Sequence, residues 1–336
     1  MEQQAGARSG ANWQEATERW GAEYHSRFEQ WETKAVVHTP HEIAPFEEDL
    51  LFFSPAISPL FLHPAVQGAP EEVRRQILVL NLFDWLEFTE WLEMGPVNDS
   101  CNLLRRPHFL PWLPTEMRLD ALRIYTDEAG HAEMSHALAR ATEKATGITS
   151  LKLRPNFLDD FDEIVKDHDS HLAPLLTLCF AIVSETLITG SLKKLPKDES
   201  AQLAVREFAR HHAQDEARHH HYFRELCEML WPRLPRHVRL TVGALLPKMV
   251  LAFLAPSWSA MTRILGQFPE VFEHPPQIAS EVVQDQGVKK GIREASLPTL
   301  RMFTNCGVFD DEEVLDAFLE HELKPPDSLL RRRVEA

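Results

Sequence analysis

The chain has 336 residues, 44% of them hydrophobic, and a formal net charge of −16. This length and composition allow a large buried core, and the acidic balance argues against nucleic acid or an anionic membrane as a partner. The four cysteines form no C-x-x-C pair, which argues against a zinc or iron–sulfur site built from them and against a disulfide framework. With no signal-like apolar stretch at the N-terminus, we expect a cytoplasmic protein.

The sequence predicts an all-α fold, a single domain spanning residues 1–336. Residues 1–38 are expected to form peripheral helices, and residues 39–69, rich in proline and large apolar groups, an ordered wrapping loop. Proline near helix starts and glycine or proline near helix ends mark a four-helix core within residues 70–230. The four core helices are predicted at about 70–94, 114–147, 172–193 and 198–230.

Additional helices are predicted in residues 231–336, at about 236–255, 257–267, 277–286 and 311–321. Pro247 is expected to kink or split the first of these. The third core helix contains the run Leu172–Leu192, whose only charge is Glu185. This run is long enough to cross a bilayer, but a buried bundle helix explains its polar residues better.

Two predicted core helices carry the same pattern, Asp-Glu-x-x-His. On a helix, residues three apart point to the same side, and the neighbours on that side are mostly apolar. Each Glu–His pair therefore lies where a core residue belongs. The two copies are Asp127-Glu128-x-x-His131 and Asp215-Glu216-x-x-His219.

The second copy has further histidines close by. His212 lies four residues before Glu216 and joins the same face. His220 lies four residues after Glu216 and is a rival to His219 for the inward position. The sequence therefore predicts two inward histidines on this helix, with the choice between His219 and His220 open.

The other two core helices each supply an isolated acid. Glu185 stands alone in its apolar helix, while the first helix offers Glu87, Glu90 and Glu93 on roughly one side. Glu90 follows an apolar stripe, but the pattern alone leaves the choice among these three open. A buried ionised carboxylate is very costly unless a cation compensates it.

A metal centre accounts for all of these groups. One Glu from each of two helices and Glu-x-x-His from each of two others is the ligand set of di-iron carboxylate bundles, a ferritin-like architecture. Oxygen and imidazole donors suit two iron ions, with manganese as a misincorporated alternative. Asp127 and Asp215 each precede a ligand Glu, and we expect each to orient a ligand histidine of the neighbouring helix.

These motifs resemble the p-aminobenzoate N-oxygenase (AurF-like) family of di-iron enzymes over most of the chain. The matching segments are Glu42-Ile43-Ala44-Pro45-Phe46, Thr89-Glu90 with Pro96, Asp127-Glu128-x-x-His131, Glu185-Thr186 and His212-x-x-x-Glu216-x-x-His219. The resemblance implies that Glu90 is the first ligand and His212 a third ligand histidine. It also implies a substrate-facing arginine at Arg293. The implied metal ligands are Glu90, Glu128, His131, Glu185, His212, Glu216 and His219.

The function implied by the resemblance is that of a non-haem monooxygenase with O2 as co-substrate. It would convert an amine, expected to be an arylamine, to a hydroxylamine, nitroso or nitro product through a peroxo-diferric intermediate, in the biosynthesis of an N-oxygenated natural product. Its partners would be a small-molecule amine, free or bound to a carrier protein, and an external electron donor, either a ferredoxin or an NAD(P)H reductase. We also expect a homodimer, because bundles of this kind often pair.

Other functions fit the same ligands. N-oxygenation of an aliphatic or carrier-tethered amine is a close variant, and a di-iron C–H hydroxylase or desaturase would differ only in the substrate pocket. Ferritin-like iron storage needs a large hollow oligomer, which the wrapping loop and the helices after residue 235 argue against. A metal-free structural protein would bury several acids without compensation.

Overall fold

The computed structural model describes residues 24–39, 42–188 and 192–326. Within these ranges the regular secondary structure is helical, and the only β-type pairing is an isolated bridge between Leu51 and Ala201. The helices of seven or more residues are α1 (Glu71–Leu92), α2 (Asn98–Leu104), α3 (Thr115–Thr146), α4 (Asn156–Lys166), α5 (Ala173–Leu187), α6 (Leu203–Leu230), α7 (Arg236–Leu254), α8 (Trp258–Leu265), α9 (Pro275–Gln284), α10 (Gln286–Cys306) and α11 (Glu312–Glu320). This confirms the predicted all-α, ferritin-like bundle with additional peripheral helices.

The core of the bundle consists of α1, α3, α5 and α6. α1 packs on α3, α3 packs on α6, and α6 packs on α5. The predicted ends of the two long helices are confirmed: α3 stops at Gly147, whose φ of 69° is left-handed, and α6 stops just before the turn Trp231–Arg233. α8 and α9 cover the opposite side of α1 through a second apolar cluster.

The first core helix is interrupted at Gly95–Pro96, close to the end that the sequence predicts, but the chain beyond it is again helical. Residues Glu93–Val97 form a π-helical segment, and the chain then continues as α2. Pro96 has no N–H to donate to the preceding turn, and Gly95 has non-helical angles of φ −95° and ψ −110°. The interruption is therefore a kink between two helices, α1 and α2, caused by the adjacent glycine and proline.

Three helices were not predicted, the short α2 among them, and one predicted break is absent. α4 was missed, and so was α10, which contains two glycines and Pro298 and so reads as interrupted. α7 continues through Pro247 as one helix, so of the predicted kink or split the split is wrong.

The segment before α1 wraps the bundle. In residues 42–69 the structure has two short helical turns, Pro59–Leu62 and Pro64–Gln67. Leu51 exchanges backbone hydrogen bonds of 2.8 Å with Ser200 and Gln202 at the start of α6. Of the predicted peripheral helices, residues 1–23 lie outside the described part, and residues 24–39 contain only the turns Trp31–Lys34 and Val36–His38.

Two apolar stretches bear on the membrane question. α5 is a short apolar helix of 15 residues with most side chains buried, as expected of a bundle helix. The stretch Arg236–Leu265, which comprises α7 and α8, is long and apolar enough by composition to cross a bilayer, and 44% of its most apolar window is buried in the protein. Because α7 packs against α4, α5, α10 and α11, a core position accounts for its apolar character.

Candidate metal centre

The core helices bring seven carboxylate and imidazole side chains together inside the bundle. α3 and α6 each contribute their Glu-x-x-His pair, and α6 adds a second histidine. α5 adds one glutamate, and the π-helical segment adds another. Each of the seven has 1% or less of its surface exposed. They are Glu93, Glu128, His131, Glu185, His212, Glu216 and His219.

The donor atoms form two overlapping groups, and within each group they lie within 4.8 Å of one another. Glu128 and Glu216 belong to both groups, so the groups share two carboxylates. This arrangement fits two neighbouring cations held by common glutamates, with an additional histidine on one of them. The first group is Glu93, Glu128, His131, His212 and Glu216, and the second is Glu128, Glu185, Glu216 and His219.

Several buried oxygens of these residues have no hydrogen-bond partner. They are both carboxylate oxygens of Glu93, both of Glu185, Oε1 of Glu128 and Oε2 of Glu216. His212 Nε2 lies 2.8 Å from Glu93 Oε1, but this contact lacks hydrogen-bond geometry, and the same nitrogen is hydrogen-bonded to Glu216 Oε1 at 3.0 Å. Unpartnered buried carboxylates are costly, and metal ions would satisfy them. The residues therefore fit a di-metal centre.

Without metal, the ionisation of the cluster is a compromise between burial and neighbouring charges. Burial and two neighbouring glutamates raise the pKa of Glu185 well above its ordinary value. Burial raises the pKa of Glu93 to about 7, although the charge of His212 acts in the opposite direction. Burial opposes the charged form of His219, but the adjacent carboxylates raise its pKa well above the ordinary range. Protons thus take the place of cations in the metal-free cluster.

Two aspartates contact the outer nitrogens of two of the histidines. Asp127 Oδ2 on α3 lies 3.1 Å from Nε2 of His219 on α6. Asp215 Oδ2 on α6 lies 3.1 Å from Nε2 of His131 on α3, so the pairing is reciprocal across the two helices. In this orientation Nδ1 of His131 faces inward, 3.0 Å from Glu128 Oε2. An imidazole held in this way presents Nδ1 to a metal.

A comparison with protein families addresses the same part of the chain. A profile described as P-aminobenzoate N-oxygenase AurF matches residues 26–307, more than four fifths of the sequence. The chain belongs to the AurF family. The matched range contains the four core helices and the whole donor cluster, and it confirms the resemblance found in the sequence. No curated protein matches the sequence significantly.

In this AurF-family chain the first helix supplies Glu93, whereas the sequence predicted Glu90. Glu90 belongs to neither donor group and is partly exposed, so this prediction is corrected. The buried face of α1 runs through Leu86 and Thr89 to Glu93, in steps of three and four residues. That stripe was present in the sequence, but the match of Thr89-Glu90 with the AurF family favoured an acid that the structure places outside both donor groups.

The remaining predicted site residues lie partly inside and partly outside the donor cluster. The structure brings the remaining six predicted donors together, and their role as ligands is part of the proposal below. His220, the rival to His219, is partly exposed and belongs to neither group. Arg293 pairs with Glu322 at 3.1 Å, with 41% of its side chain exposed, so its position does not support the predicted contact with substrate.

Proposed function

We propose that the protein is a di-iron, O2-dependent N-oxygenase that converts an amine, in the first place an arylamine, to a hydroxylamine and onward to nitroso or nitro products. The observation that carries this proposal is the pair of donor groups sharing Glu128 and Glu216 in a chain of the AurF family. The mixture of carboxylate and imidazole donors suits iron. Two ferrous ions in these positions would supply O2 binding and two electrons for its activation.

The two donor groups of the proposed site differ in the number and kind of their side chains. The four glutamates offer four negative charges, which balance the charge of two ferrous ions and offset most of that of two ferric ions in an apolar interior. One group has two imidazoles, from His131 and His212, whereas the other has one, from His219. The group containing Glu185 and His219 has fewer protein donors. It therefore leaves more room for an external ligand, in the way that catalytic metal sites keep a position open.

Aromatic side chains seal the cluster against water. The ring of Phe28 stacks on His219 at 6.2 Å between centroids, and that of Phe208 meets His212 edge-on at 5.9 Å. Phe28 is 1% exposed and Phe208 is 6% exposed. Exclusion of water protects a reactive centre from stray protons and reductants. A neutral arylamine is also easier to transfer into such an interior than a charged ammonium group.

The proposal includes the partners of the reaction. Repeated turnover needs an external electron donor, which we propose to be a ferredoxin or an NAD(P)H reductase. The substrate is a small amine, free or attached to a carrier protein. We also propose that the protein acts in the cytoplasm as a homodimer.

A single-turnover experiment tests the proposed reaction. Protein loaded anaerobically with Fe(II) is exposed to 18O2 with p-aminobenzoate and with a set of aliphatic amines, and the products are analysed by mass spectrometry. We expect 18O bound to nitrogen. Glu128→Ala should abolish the product, while Glu133→Ala, an exposed glutamate on the same helix, should retain it.

Each alternative function has its own signature in this experiment. Oxygen bound to carbon, or a new double bond, would indicate a C–H hydroxylase or desaturase. Uptake of many iron ions by a large hollow assembly would indicate storage. Two bound iron ions with no oxidised amine among the panel would contradict the proposed N-oxygenation.

A further inference from the structure

Residues 24–39 lie across the two helices that carry the Glu-x-x-His pairs, and we call them the strap. The indole Nε1–H of Trp31 donates to Asp127 Oδ1 at 2.7 Å, and the backbone N–H of Val36 donates to Asp215 Oδ2 at 3.1 Å. The two aspartates are completely buried. The strap therefore reaches one carboxylate on α3 and one on α6.

These are the two carboxylates that contact His219 and His131. Asp127 uses Oδ1 for the strap and Oδ2 for His219, so its carboxylate is fixed from both sides. Asp215 likewise accepts from the strap while it contacts His131. Two chains of contacts therefore connect the strap to imidazoles of the donor cluster. They are Trp31–Asp127–His219 and Val36–Asp215–His131.

We propose that the strap positions the two imidazoles for metal binding, and that Trp31 is a positioning residue acting on His219 through Asp127. A carboxylate that accepts two charge-assisted hydrogen bonds has little freedom to rotate. The imidazole it holds then has a fixed ring orientation with Nδ1 directed inward, and such supporting bonds raise metal affinity. This inference rests on the metal centre of the proposed function but not on the reaction that it performs.

A close approach between the strap and α3 supports the same role. Gly130 lies between Glu128 and His131, in a helix interior where glycine is unfavourable. A Cβ atom at Gly130 would lie 3.1 Å from Cγ2 and 3.2 Å from Cβ of Val37 in the strap. A glycine at this point lets the strap approach the helix closely enough for the neighbouring Val36 N–H to reach Asp215.

The alternative is that the strap serves only to cover apolar surface, with no effect on the metal centre. Phe28 and Val36 are buried and contribute to the core cluster, so the strap certainly has a packing role. The two roles differ in what the indole N–H does. If packing were the whole role, an aromatic ring without that N–H would leave the metal centre unchanged.

The test removes the indole N–H and keeps an aromatic ring, and the control variant makes the same change of ring at another site. Full-length Trp31→Phe is compared with wild type and with Trp258→Phe, a control that removes an indole donor bonded to Ser280 at 3.0 Å, at a site away from the aspartates. Each protein is loaded with Co(II), and the affinity is measured by competition with a chelator, alongside the visible d–d spectrum. We expect Trp31→Phe to weaken cobalt binding about 10–100-fold and to shift the spectrum, with the control unchanged.

Gly130→Ala provides a second variant that does not depend on the fold tolerating a change at Trp31. Alanine favours the helix more than glycine, so the helix itself is not weakened, but its methyl group would lie 3.1 Å from Cγ2 of Val37, so this strap residue must shift by a few tenths of an ångström. We expect weaker cobalt binding and a shifted spectrum here too.

The outcomes separate this proposal from the proposed function. Wild-type cobalt affinity and spectrum in both Trp31→Phe and Gly130→Ala would overturn the role of the strap. Failure of the wild-type chain itself to bind two cobalt ions would overturn the metal centre. Strap variants that bind metal weakly would support the inference even if no amine is oxidised by the wild type.

Discussion

Replacing Glu93 should produce a protein that is more stable without metal and binds metal less well. Glu93→Gln keeps the size of the side chain and removes its charge. Glu90→Gln, three residues away and outside both donor groups, is the matched control. Comparing the two variants tests which of the two glutamates belongs to the metal centre.

The magnitude follows from the burial of Glu93. Its pKa is about 7 in the folded, metal-free protein, against 4.5 for an ordinary glutamate. The folded state thus binds this proton more tightly than the unfolded state, and the stability this provides at low pH is lost as the pH rises from 4.5 through 7. At pH 8 nearly the full cost applies, about 3 kcal/mol for a shift of this size. Glutamine removes the charge and should raise the free energy of unfolding by up to this amount. The gain is reduced by the favourable interaction with His212 that is lost with the Glu93 charge.

Metal binding should change in the opposite direction. Loss of residues that merely hold a ligand histidine already costs about 10–100-fold in affinity, so loss of a direct donor should cost at least about 100-fold, or about 2.7 kcal/mol. Urea unfolding of the metal-free variants at pH 5 and pH 8 measures the stability, and chelator competition with Co(II) measures the affinity. Retention of both metal ions by Glu93→Gln, together with their loss from Glu90→Gln, would refute the assignment.

Three further predictions concern other parts of the protein. Burial and the charge of Glu87 raise the pKa of Asp84 to about 7, so the wild type should lose stability between about pH 4 and pH 7; in Asp84→Asn the urea midpoints at pH 5 and pH 8 should lie closer together than in the wild type. A Cβ at Gly243 would lie 2.5 Å from Val314 Cγ2, so Gly243→Ala should destabilise the protein by about 1–3 kcal/mol in thermal unfolding with metal stoichiometry unchanged. Metal at about 100 times its Kd should stabilise the fold by about 2.7 kcal/mol, and an unchanged Tm in protein shown by metal analysis to have lost its metal would contradict a bound centre.

Most of the candidate site could be predicted because it lies on regular helices. In α3 and α6 the period of 3.6 residues holds along the whole helix, so Glu and His three residues apart are certain to share a face. Glu185 could be recognised as the only charge in an apolar helix, since an isolated acid there needs a partner. Local spacing and the cost of burial were enough for these positions.

The remaining features depend on irregular backbone or on distant contacts. The π-helical segment follows from Gly95 and Pro96 acting within a packed bundle, so the sequence suggested a helix end. The helical pattern left the choice among Glu87, Glu90 and Glu93 open, and the family resemblance favoured Glu90. The Gly130–Val37 contact and the Trp31–Asp127 bond join segments about 90 or more residues apart in the chain. No periodic pattern in the sequence encodes such a pairing.

Because the donors are 1% exposed or less, between helices of 28 and 32 residues, an ion has no open route through the described residues to bulk water. Exchange therefore requires the strap and the long helices to separate transiently, and such sub-global openings are rare events in a packed core. The identity of the bound metal should then reflect what the nascent chain met as it folded, and the later composition of the solution should alter it only over many such openings.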